Sequence, residues 1–184
     1  MSTAAVVERA AQILDERGPD GFNLAVLAES LGVRIPSLYK HIDGMPGLRR
    51  SIMIRAKSSL AGTLGHAAIG RAREDAITSM SFAYRQWALE RPGQYPMTMR
   101  APLPGDDDDA TVSSSIADVV FSVLAGYDLR DDDAVDATRF FRSAVHGFVD
   151  LETRGGFELP VDLERSFVRL VESVVTALES WSRS

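Results

Sequence analysis

Apolar residues recur three and four positions apart through nearly the whole chain, a spacing that gathers them on one face of a helix and on neither face of a strand. Val6, Val7, Ala10, Ala11, Ile13 and Leu14 form the first stripe, which Gly18-Pro19 stops. Asn23 is a good N-cap for a short second helix carrying Leu24, Leu27, Ala28 and Leu31, and Gly32 breaks it. A third short helix contains Leu38, Tyr39 and Ile42, with Pro36 in its first turn, where the missing N–H costs nothing. Asp43 can cap a fourth, with Leu48, Ile52, Ile54, Ala56, Leu60, Ala61 and Leu64 as its apolar positions. Residues 71–91 predict a long helix with Ile77, Met80, Ala83, Tyr84, Trp87 and Ala88 inward, ended by Pro92-Gly93. Tyr95 to Arg100 fits one short helix, and longer ones follow at roughly 111–126, 132–153 and 162–182. Pro102 to Asp109 reads as a solvated acidic loop, because its four aspartates lack the interleaved spacing and closing glutamate of a calcium loop. With no hairpin chemistry and no internal repeat, the fold class is all-α.

Composition narrows the rest. The 184 residues suffice for one compact domain, or one with a small appendage. Cysteine is absent, which excludes disulfides, thiol catalysis and zinc ribbons. No stretch approaches about eighteen uninterrupted apolar residues, and the N-terminus has no basic region followed by an apolar run. A cytoplasmic protein without a membrane span is therefore expected. The net charge of −6 is unevenly spread. Residues 1–60 carry eight Lys/Arg against six acids, a balance of +2, whereas residues 61–184 carry twelve Arg against twenty acids, a balance of −8. A polyanion would be tolerated only at the smaller, N-terminal part.

The two C-terminal helices are apolar over more than one narrow face. Leu163, Phe167, Leu170, Val174, Leu178 and Trp181 make one stripe, with Val168, Val171 and Val175 beside it. Ala137, Phe140, Phe141, Ala144, Val145, Phe148 and Val149 cover well over a third of the preceding helix. One face for the core and one for a second copy, in a two-fold homodimer, fits this width; two central helices of a monomer fit it as well. The dimer reading places Phe141, Val145, Phe148, Phe167, Leu170, Val174 and Leu178 at the interface.

The most specific signal lies at residues 24–42. Ala28 is small enough for a close helix crossing, Gly32 four residues on permits a left-handed turn, and Leu38 six further on can plug the angle between the helices. This is helix-turn-helix spacing, and Arg34, Ser37, Tyr39, Lys40 and His41 are donors suited to a DNA groove. Spacing alone also fits an αα-corner of an ordinary bundle.

Gly21-Phe22-Asn23, Leu27-Ala28, Leu31-Gly32-Val33 and Ser37-Leu38-Tyr39-Lys40-His41-Ile42, followed six residues later by Leu48, strongly resemble the N-terminal domain of TetR-family transcriptional regulators. The run from Tyr84 to Tyr95, then Val145-His146-Gly147-Phe148-Val149-Asp150-Leu151-Glu152, Gly155-Gly156-Phe157 and Ser166-Phe167, is similar to one C-terminal class of that family, with a Trp/His-His-Gly-Phe-type segment in the penultimate helix. The resemblance implies a three-helix DNA-binding head at 1–45 and a ligand-binding and dimerisation body of about six helices at 46–184. It implies a homodimeric repressor on a pseudo-palindromic operator, released by a small-molecule effector, with no cofactor, no metal and no catalytic residue. It places the recognition helix at Ile35 to His41 and DNA contacts at Asn23, Arg34, Ile35, Pro36, Ser37, Tyr39, Lys40, His41 and Arg49. Leu24-Ala25 stands where the family often has threonine, and Met45 where it usually has lysine, so Arg49 or Arg50 would supply the cationic phosphate anchor. Met80, Tyr84, Trp87, Met97, Met99, Phe121 and His146 are the effector candidates. Two other readings compete: a helical dimeric interaction module without DNA contact, and an all-α enzyme using His146 with Asp150 or Glu152.

Overall fold

A computed structural model describes residues 1–181, and within them every regular element is helical. The order is α1 (Thr3–Arg17), α2 (Leu24–Ser30), α3 (Ile35–Leu38), α4 (Gly44–Ala68), α5 (Arg73–Glu90), a 3-10 turn (Tyr95–Thr98), α6 (Asp107–Leu124), a 3-10 turn (Ala125–Tyr127), α7 (Asp131–Thr153) and α8 (Leu163–Trp181). The far end of the helix expected to reach 182 lies outside the described residues. The chain divides into two compact units, residues 1–59 with 90–112, and residues 60–89 with 113–184.

In the first unit the stripe on α1 is buried as its spacing requires, and it packs with Phe22, Leu27, Ala28, Leu38, Ile42, Leu48 and Ile52 into one core. The Asn23 side chain accepts from the N–H groups of Ala25 and Val26, both at 3.0 Å, which caps α2. Gly32 has φ +66°, and the turn closes with Val33 N donating to Ala28 O at 3.0 Å. On α4, Leu48, Ile52, Ala56, Leu60, Ala61 and Leu64 are buried as their spacing suggested, and Met53 is buried where Ile54 was expected, Ile54 being only half-buried.

Two expectations fail in this unit. Asp107–Asp109 form the first turn of α6 instead of ending a loop, since carboxylates favour a helix N-terminus. Asp109 is not solvated: it is fully buried and paired at 2.5 Å with Lys57 of α4, itself 1% exposed. Lys57 also donates to Arg100 O at 2.8 Å. The segment after α5 is held to α1 as well, where the Asp15 carboxylate accepts from the backbone N–H groups of Gly93 at 3.0 Å and Gln94 at 2.9 Å.

The second unit is built on aromatic packing. Phe167 of α8 lies at 5.2 Å from Phe82 of α5 in an edge-on arrangement and at 5.1 Å from Phe148 of α7. Arg85 spans the same three helices: it grips Glu152 through two hydrogen bonds of 2.7 Å, pairs with Glu164, and lies over the Phe167 ring. Residues 107–127 are long and apolar enough to cross a membrane by length and composition alone. Val120, Val123 and Leu124 of that stretch are nevertheless buried in the protein, and Asp118 in its middle is exposed.

Candidate nucleic-acid interface and effector site

α2 and α3 present a donor-rich surface on an apolar base. Leu38 is completely buried, and the residues around it turn outward: Arg34, Ile35, Pro36, Tyr39 and Lys40 are exposed, while Ser37 and His41 are half-buried. The regular helix is shorter than expected, ending at Leu38 and not at His41. His41 N already bonds Leu38 O three residues back, at 2.8 Å, which tightens the last turn before Ile42 dives into the core. Tyr39, at 57% exposure, and Lys40 thus stand on a turn at the helix end. Asn23 is exposed, but its carbonyl oxygen is spent on the α2 cap, leaving its amide NH2 as the group that can donate outward.

The start of α4 explains where a cation is available. Met45 packs against the N-terminal core, so that position holds an apolar anchor. Arg50 is held by Asp106 and by Asp108 at 3.0 Å; the guanidinium pulls Asp106 down to about 2, and the two carboxylates raise Arg50 above its ordinary value. Arg49 is exposed and has neither an ion pair nor a hydrogen bond among the described residues. The sequence could not choose between the two arginines; the carboxylates that neutralise Arg50 lie more than fifty positions away.

The seven effector candidates are not alike. Tyr84 and His146 meet, with the hydroxyl 3.4 Å from Nδ1, and burial pushes the imidazole below its usual range. Phe121 is half-buried. Met80 is fully buried and Trp87 is 2% exposed, which makes both core residues. Met97 belongs to the first unit, with Met99, and packs against the N-terminal core. Glu152 is committed to Arg85, and Asp150 to Arg154 at 2.9 Å. Among the described residues no group of three His, Cys, Asp or Glu is placed to hold a metal ion.

Of the seven interface candidates, Phe141, Val145, Phe148, Phe167, Val174 and Leu178 are already buried by the protomer's own packing, and Leu170 is half-buried. The breadth of apolar surface on α7 and α8 is used mainly inside the chain. The apolar side chains left outward nearby are Leu151, Phe157, Leu159 and Val161.

Residues 77–174 match the family described as the tetracyclin repressor-like C-terminal domain. The HTH-type transcriptional regulator Rv0681 of Mycobacterium tuberculosis is 37% identical over 97% of this chain and 82% of its own length. The HTH-type transcriptional regulator YobS of Bacillus subtilis is 33% identical over 94% of this chain and 90% of its own. The chain belongs to the TetR family of helix-turn-helix transcriptional regulators. A solved TetR variant from Acinetobacter baumannii, in complex with minocycline, shares the fold with a TM-score of 0.73, at 19% identity over 100% of this chain and 99% of that one. As a TetR-family protein the chain is a DNA-binding transcriptional regulator, and the outward donors around Leu38 lie on its helix-turn-helix.

Proposed function

We propose that this TetR-family protein is a cytoplasmic, non-enzymatic repressor with a DNA-binding head at 1–45 and a ligand-binding and dimerisation body at 46–184. It binds a pseudo-palindromic operator as a homodimer, and a small molecule releases it. The observation that carries the reading is the exposed Arg34–Lys40 surface mounted on the buried Leu38, which can enter a major groove without disturbing the core. Ser37 and Lys40 face bases or backbone, Tyr39, His41 and the Asn23 amide take phosphates, and Arg49 is the cationic anchor in place of Arg50. Lys40→Ala is expected to weaken operator binding and to flatten the salt dependence of affinity by about one unit of slope. Tyr39→Ala is expected to weaken binding as well, and the melting temperature of both variants stays at the wild-type value because neither side chain is buried. Fluorescence anisotropy across a salt series measures this, and unchanged affinity in both variants removes the assignment.

Dimerisation in this reading uses the outward flanks of α7 and α8 with Leu170, together with Leu151 and the Phe157, Leu159 and Val161 side chains of the connector. Sedimentation at micromolar concentration is expected to give twice the 20.0 kDa chain mass. Leu151→Glu combined with Leu159→Glu should shift that species to monomer; a wild-type monomer at the same concentration overturns the interface. For the effector, Tyr84 and His146 supply the polar handle and Phe121 an apolar wall, and Met80 and Trp87 line the site only if the core opens.

A further inference from the structure

The first unit contains a cleft of about 430 Å³ between the start of α4 and the segment from the 3-10 turn to α6, a volume within the range of small-molecule sites. Its base is apolar, from Met53, Met97 and Leu103, and three arginines, Arg49, Arg50 and Arg100, stand around it against the single carboxylate of Asp106. Arg50 and Asp106 neutralise each other. The other two guanidinium groups keep donors to spare. Arg49 has no partner among the described residues. Among the described residues Arg100 bonds through Nη2 alone, toward Asp109 and Met53 Sδ at 3.3 Å each, and its side chain stays 45% exposed. Leu103 is 58% exposed on the cleft, apolar surface that the protein itself does not cover.

We infer that this cleft binds an amphipathic carboxylate, with the acid group taken by Arg49 and Arg100 and the hydrocarbon body lying on Met53, Met97 and Leu103. A planar carboxylate matches the guanidinium fork, and an apolar body gains by covering Leu103. A ligand in the cleft occupies the same cation that would anchor a DNA phosphate, so ligand and operator compete for Arg49. That competition rests on the reading of Arg49 as the phosphate anchor; the binding of the carboxylate does not.

Calorimetric titration of the full-length protein with decanoate and with decanol tests the site, and Leu103→Asp serves as the variant. Leu103 is exposed, so the substitution leaves folding as it is, while its carboxylate repels the ligand's; the operator affinity of each protein is compared with and without decanoate, so that any effect of the new charge on DNA binding itself cancels. Wild type is expected to bind decanoate at one site per chain, decanol about tenfold more weakly, and Leu103→Asp to bind decanoate about tenfold more weakly. Absence of decanoate binding, equal binding of decanol, or equal binding by Leu103→Asp overturns the site. Decanoate should also lower the operator affinity of wild type and leave that of Leu103→Asp nearly unchanged. Binding of decanoate at the cleft with operator affinity untouched removes the competition, whereas a wild type that binds no operator in the absence of ligand refutes the repressor reading and leaves the calorimetry to decide the site.

Discussion

Lys57→Met is expected to destabilise the protein by about 3–5 kcal/mol, read as a fall in the urea midpoint. Lys57 is 1% exposed and its ammonium lies 2.5 Å from an Asp109 carboxylate that is not exposed at all. Removing the lysine takes the nearest countercharge from a fully buried carboxylate, and the loss of one partner costs far more than the intact pair contributes. Arg100, 3.3 Å from the second carboxylate oxygen, covers part of the charge, so the lower end of the range is expected. Lys57→Met combined with Asp109→Leu removes both charges together and should recover most of the loss. A double variant as unstable as the single one would mean that the cost comes from packing and not from the stranded carboxylate.

This pair marks where sequence stops being informative. The head is legible because its information is local: Ala28, Gly32 and Leu38 lie within eleven residues, and capping, turn and plug are all set by neighbours. Lys57 is not legible in the same way. The sequence reading puts Ile54 and not Met53 on the apolar stripe, and only the structure shows Met53 and Lys57, four residues apart, both turned inward. Its partner, fifty-two positions on, cannot be read, and without it the four aspartates after Gly105 look like a solvated run. The same gap explains Arg50, whose carboxylates come from that run. On α7 and α8 the apolar breadth is plain in the sequence, but periodicity says only that a face is covered, not by what. Phe82 and Phe148 cover Phe167 from within the chain. Tyr84 and His146 are separate candidates in the sequence, and their meeting is a tertiary fact.

Alanine at two glycines should move stability in opposite directions. Gly93 looks from sequence like no more than the stop of α5, yet it is a packing residue. A Cβ there would lie 2.2 Å from Leu14 O, 2.5 Å from Leu14 C and 2.9 Å from Asp15 N, all backbone atoms of α1 that cannot swing aside. The substitution must push the 92–94 segment off α1, and with it go the hydrogen bonds that Asp15 accepts from Gly93 and Gln94. Overpacking alone costs about 1–3 kcal/mol, and a hydrogen bond to a charged group contributes about 1.5–3. Gly93→Ala is therefore expected to lose at least about 3 kcal/mol. Gly62, exposed in the middle of α4, has nothing within 4 Å of its notional Cβ. There alanine only removes backbone freedom from the unfolded chain and improves helix propensity, a gain of about 0.4–1 kcal/mol. Urea unfolding of the two variants beside wild type measures both signs, and a Gly93→Ala protein as stable as wild type would show that the 92–94 segment can leave α1 at no cost.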